Sequence, residues 1–279
     1  METATIAALS AIGGGIVAAA IKFIFDFYLS ERIKQRWKAV DITRRYSSPI
    51  IRAADDLAGR IENMSRFLDD RQATAWLRSV DPEERPRVPF ERYYFVSTVY
   101  LIGRLIAWID ILRREEVFLD YSATKEAREF NRHMDLIYQI ISFARLTGDD
   151  AERSKKNHWI YFYYLSGIGE AFSTKEIGKE NSTAISFQEF CRRYRESNRQ
   201  SDFDLWVKEI ECLVVDLTSD AEDSRWERFQ MLWFSLDKLL QLLDPKNIRT
   251  TRKRSKSVQI PEAVRVKVVN QARDIGLLW

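Results

Sequence analysis

The stretch YYFVSTVYLIGRLIAWIDIL, residues 93–112, decides the fold, because it is apolar nearly all the way round and charged only at Arg104 and Asp110. A helix of that length crosses a hydrocarbon core of roughly 30 Å, so the run fits either a membrane span or the centre of a globule. An arginine in the middle of the run is expensive in lipid. The reading is therefore a central buried helix, with Arg104 satisfied by an acidic partner or stacked on Trp108 one turn later.

Outward from this helix, apolar residues keep recurring at three- and four-residue steps. Before it, Ile50, Ala54, Leu57, Ile61, Met64 and Leu68 mark an amphipathic helix that Ser48-Pro49 is expected to open, as N-cap and first helical position. After it, Phe130, Met134, Ile137, Ile141 and Ala144 mark a helix over about 123–146. The aromatic run HWIYFYYLSGIGEAF, residues 158–172, reads as a short helix that is almost wholly buried. Ser186 with Glu189, Ser201 with Asp204, and Ser224 with Glu227 have the spacing of capping boxes. The last of these introduces Trp226, Phe229, Trp233, Leu236, Leu240 and Leu243 on one face. VRVKV near the C-terminus alternates like a strand, yet Pro261 just ahead of it favours a helix.

The expected fold is all-α: an N-terminal single transmembrane helix followed by a multi-helix cytoplasmic bundle. The span rests on IAALSAIGGGIVAAAIKFIFDFY, residues 6–28, and the overlapping stretch Ala4 to Ile21 carries no charge. Lys22 and Asp26 fall near its end among Phe23, Phe25, Phe27 and Tyr28, where a lysine reaches headgroups and rings gather at the interface. A soluble core helix, a cleaved signal peptide ending at Ala18-Ala19-Ala20 and a dinucleotide fingerprint at Gly13-x-Gly15-x-x-Ala18 fit less well. The run is long for a core helix, its start Met-Glu lacks cations, and a fingerprint needs a preceding strand.

Orientation follows from the flanks. Arg32, Lys34, Arg36 and Lys38 follow the span whereas only Glu2 precedes it, so the N-terminus is expected outside and the bulk of the chain in the cytoplasm. These cations, and Arg252, Lys253 and Arg254 in the basic linker, are candidate contacts to anionic headgroups. Ala7, Ala11, Gly15 and Ala19 form a small-residue stripe suited to helix association in lipid. The chain thus divides into an anchor (1–30), juxtamembrane helices (31–79), a proline-rich connector (80–89), a helical domain (90–243), a basic linker (244–261) and a C-terminal helix (262–279).

Composition narrows the function. Net charge is only +3, so the chain lacks the overall basic field of a dedicated nucleic-acid binder. Its cysteines, Cys191 and Cys212, stand apart and are expected to be buried free thiols, and His133 and His158 lack a neighbouring ligand cluster of zinc type. No metal, cofactor, phosphate-binding glycine loop or nucleophile elbow is read.

One pattern bears on catalysis. Arg128-Glu-Phe-Asn-Arg-His133 has the R-x4-H spacing and resembles the motif of HEPN ribonucleases, all-α proteins often associated with membranes. The resemblance implies that Arg128 binds phosphate oxygens and His133 moves protons at a scissile phosphate. This chain departs from the family at Glu129, where a small polar residue is usual, and Arg153 to His158 repeats the spacing. The leading expectation is a membrane-anchored interaction or scaffold protein whose partners are membrane lipid and a protein partner or second copy. The alternatives are a tethered ribonuclease, the one case in which nucleic acid is a partner, and a pore-forming effector assembled through its spans.

Overall fold

The computed structural model describes residues 22, 45–66, 68, 77, 93–116, 125–144, 157–175, 182–197, 201–219, 223–250 and 260–275. The anchor, with Ala7, Ala11, Gly15 and Ala19, lies outside the described residues, as do Arg32, Lys34, Arg36, Lys38, the proline-rich connector, and Arg252, Lys253 and Arg254. Within the described residues the elements are α1 (45–65), α2 (Tyr93–Glu116), α3 (Lys125–Ser142), α4 (Phe162–Ala171), β1 (Ser173–Lys175), β2 (Ser182–Ala184), α5 (Phe187–Glu196), α6 (Asp202–Val214), α7 (Ser224–Leu243) and α8 (Glu262–Asp274).

The protein is mostly helical and α2 is its central element. Phe95, Val99, Leu105, Ile106 and Ile109 are fully buried, and α2 packs on α4, α6, α5 and the small hairpin. Among the described residues, Tyr93–Arg114 is the one stretch long and apolar enough to cross a membrane, and 83% of its window is buried inside the protein. Arg104 finds its acid in Asp56 of α1, and its guanidinium lies 5.6 Å from the Tyr100 ring centre. The aromatic neighbour is thus one turn before Arg104, and Trp108 packs on Tyr46 instead. Close approach of α4 is built on glycine: a Cβ on Gly103 would overlap the ring of Phe172. That ring is stacked against both Phe190 and Phe203, which also meet each other at 6.0 Å.

A second layer is formed by α3 against α7, with α8 packed on α7 and reaching α3 through Gln271, which donates to Gln139 Oε1. The predicted faces are buried: Phe130, Met134, Ile137 and Ile141 on α3, and Trp226, Phe229, Trp233, Leu236 and Leu240 on α7. The C-terminal VRVKV is helical, as its proline suggests, and buries only Val264, Val268 and Ala272 of α8.

Several local expectations are corrected. Helix is already under way at residue 45, so Ser48-Pro49 lies inside α1 and does not open it. The Ser186 and Ser201 caps form, each hydroxyl accepting an N–H three residues on at 3.1 Å. At α7, however, Asp223 is the N-cap, while the Ser224 hydroxyl donates to Asn157 Oδ1 at 2.8 Å. An aspartate one residue earlier wins because its carboxylate also meets Arg225. The all-α reading is supplemented by the β1–β2 hairpin, paired Ser173 to Ala184 and Lys175 to Ser182. Strands of three residues are too short to show a period of two. Neither Cys191 nor Cys212 is in a disulfide, and both are half-buried rather than buried as expected.

Candidate functional site

The R-x4-H pair is not brought together. Arg128 is exposed on α3, whereas His133 on the same helix is only 2% exposed. Five residues along a helix rotate a side chain by about 140° from its starting direction, so the two project to different sides. Burial pushes the His133 imidazole down to about 4, with the Lys238 ammonium adding to the effect. His133 thus sits on a buried face of α3. His158 of the second match is buried as well, its Nε2 lying 3.1 Å from the Glu209 carbonyl oxygen.

The strongest charges inside the protein serve its architecture. Arg225 donates to the carbonyls of Cys212 at 3.0 Å and Val215 at 2.7 Å, closing the end of α6, and pairs with Asp223. Arg228, one turn on, donates to the carbonyls of Ile140 and Phe143 and so closes α3. Burial lowers its guanidinium to about 10, which leaves it charged at neutral pH. The first turn of α7 thus caps the C-terminal ends of two other helices, where carbonyls have no partner within their own helix. Among the described residues no group of three His, Cys, Asp or Glu side chains is placed to hold a metal.

What the interior does not consume is an aromatic surface at the start of α4. The expectation that residues 158–172 are almost wholly buried is corrected here: Tyr161 and Phe162 are about half exposed and Tyr163 is 86% exposed. Tyr161 is the N-cap, and Phe162 and Tyr163 are successive helical positions about 100° apart, so a single supporting layer cannot cover all three. The backbone before α4 is pinned by the Ile160 N–H donating to the Ile141 carbonyl at 3.2 Å, which sets this run beside the end of α3 and its exposed Phe143.

The surface is held by ring contacts beneath it. Phe162 stands edge-on to the buried Tyr138 at 6.1 Å, and Tyr161 to Tyr164 at 5.5 Å, which in turn meets Trp206 at 5.4 Å. Arg113 lies 3.7 Å above the Tyr138 ring and 5.8 Å from Phe162, and forms a 2.6 Å ion pair with Asp135. Burial of Tyr138 and the nearby Asp110 carboxylate push the Tyr138 phenol well above its ordinary value, so it stays neutral.

Asp135 connects this aromatic end to a charged one. The exposed positions of α3 run Lys125, Arg128, Arg132 and Asp135, at steps of three and four that keep them on one side of the helix. Phe143 lies just past the end of that helix. The result is a surface that carries charges of both signs toward the start of α3, where Glu129 lies among the cations, and rings where α3 meets α4. Exposed rings of this kind suit binding to an apolar counterpart rather than bond making. Sequence reasoning missed it because the aromatic run looked like core material; three adjacent rings at the head of a ten-residue helix were the available signal. The chain matches no known family model, no curated protein and no solved structure.

Proposed function

We propose that this is a membrane-anchored helical protein that acts by binding, with residues 1–30 as its anchor and the helical domain as a cytoplasmic scaffold. The observation that carries the reading is the exposure of Tyr161, Phe162 and Tyr163 above a fully formed core. Contiguous exposed rings on a well-packed protein mark a surface that is covered in use. The interior supports the same conclusion, since both histidines are buried and the buried arginines of α7 close helix ends. The small-residue stripe Ala7, Ala11, Gly15 and Ala19 adds self-association through the anchor.

Topology is tested by protease protection on the full chain carrying an N-terminal epitope tag. In vesicles with the cytoplasmic face sealed inside, external trypsin should remove the tag and spare the rest. Cleavage of the helical domain in those vesicles would refute the arrangement. Catalysis is tested separately: RNA turnover by purified protein that disappears on His133→Ala would replace the binding reading with the ribonuclease one.

A further inference from the structure

We propose that α8 is an exchanged element: in neighbouring copies of the chain each α8 seats on α7 of the other, so that the α8 seat on α7 is an interface for a second copy. This deepens the reading above, in which copies meet through their anchors. The chemistry that the seat accepts is given by α8 itself. Val264, Val268 and Ala272, spaced by four, are buried as one seam, and Ile260 and Ile275 are half-buried near its two ends. Beside the seam the Lys267 ammonium meets the Glu227 carboxylate at 2.6 Å, and Gln271 donates to Gln139 Oε1 on α3. These contacts are the same whether α8 belongs to the chain it lies on or to its neighbour.

As a helix α8 depends on its seat. Val264, Val266, Val268 and Val269 are β-branched, and the N-cap Pro261 supplies no side-chain hydrogen bond. Thirteen residues of this kind do not hold a helix alone in water, so α8 folds as it binds, like a short amphipathic ligand in a groove. Its fully buried side chains are small, and lifting it exposes far less apolar surface than lifting α7, with Trp226, Phe229 and Leu236, would.

The route of the chain gives α8 no short path to its own α7. Asp244, at the end of α7, accepts the N–H groups of Ile248, Arg249 and Thr250 at 2.9 Å each and fixes where the chain leaves that helix. Glu227 is in the first turn of α7, about 24 Å of helix away. The chain must therefore return along α7 before Lys267 meets Glu227, and the steps from Thr250 to Ile260 span at most about 35 Å. A connection of that reach also extends to an adjacent chain, and closing a long loop has little entropic advantage over reaching a neighbour held alongside.

The experiment uses the full chain with Cys191→Ser and Cys212→Ser, expressed in one membrane as two differently tagged copies, one with Gln139→Cys and the other with Gln271→Cys. A short bis-maleimide should join the two tags, because these positions meet across α8 and its seat and each copy holds only one of them. A single chain carrying both substitutions reports that the positions lie within reach of the reagent. Charge reversal isolates the exchange: Glu227→Lys is added to the copy with Gln139→Cys, and Lys267→Glu to the copy with Gln271→Cys. Each chain closed on itself then sets like charges together, whereas exchange restores both ion pairs. The yield between tags should rise about ten-fold over that with Glu227→Lys alone.

Cross-links within the doubly substituted chain but none between tags that still purify together overturn the exchange and leave association through the anchors standing. Cross-links between tags on protein that alkaline carbonate releases support the exchange and overturn the anchor. A yield between tags that charge reversal leaves unchanged reports collision and overturns the exchange, as does the absence of cross-links in both formats.

Discussion

Arg225 and Asp223 face each other at the start of α7 in a doubly hydrogen-bonded ion pair, at 2.8 and 2.7 Å, with each side chain 1% exposed. The Asp223 carboxylate also accepts the Thr218 N–H at 3.1 Å, so one pair fixes the loop between α6 and α7 as well as the end of α6. Removing one partner leaves the other charge buried and unmatched, a loss of about 3–5 kcal/mol. Asp223→Ala should therefore lower the denaturant midpoint sharply. Asp223→Ala with Arg225→Met should cost less than the two single changes added together, which a double-mutant cycle measures.

Gly103→Ala tests the approach of α4 to α2. Alanine favours a helix by about 1 kcal/mol over glycine, yet the added methyl meets the ring of Phe172, which is fully buried and packed against Phe190 and Phe203. The net effect should be destabilising by about 1–2 kcal/mol. Phe172→Leu in the same chain should recover part of it, read as melting temperature by circular dichroism.

His133 gives the fold an acid-sensitive term. Its folded value of about 4 lies below the ordinary 6.5, so the unfolded chain binds the proton first as pH falls. The stabilisation from keeping this ring neutral is complete above pH 6.5 and is lost as pH drops toward 4. The stability of the wild type relative to His133→Gln should fall by on the order of 3 kcal/mol between pH 7.5 and pH 4. Unfolding curves of the two proteins at matched pH check this, since other titrating groups cancel in the difference.

Surface and core aromatics should separate cleanly. Tyr163→Ser, at an exposed position, should change stability by less than about 0.5 kcal/mol while weakening binding at the exposed rings. Phe190→Ala, at a fully buried ring stacked on Phe172 and Tyr194, should cost about 3–5 kcal/mol. A comparison of the two by thermal melt distinguishes a surface ring from a packed one.

The helices were legible where burial is one-sided. Periods of three and four on α1 and α3 translate directly into the residues found inside. The central position of α2 followed from the cost of placing Arg104 in lipid, and its pairing with Asp56 is the anticipated partner. Capping was legible where a serine hydroxyl had no rival, and failed at Ser224 because Asp223 offers a stronger acceptor already fixed by Arg225. The surface site was hidden by composition. Hydrophobicity alone does not tell a ring that supports from a ring that is supported, and Tyr138 and Tyr163 differ in exposure only because Arg113, Phe162 and α3 cover the first. The roles of Arg225 and Arg228 were equally hidden, since a capping arginine finds its carbonyls on helices distant in sequence.

The most direct test of the account as a whole is alkaline carbonate extraction of membranes containing the intact chain. The account predicts that the protein stays in the pellet, because residues 4–29 partition into the bilayer and hold the helical domain against it. Recovery of the intact polypeptide in the supernatant would contradict it.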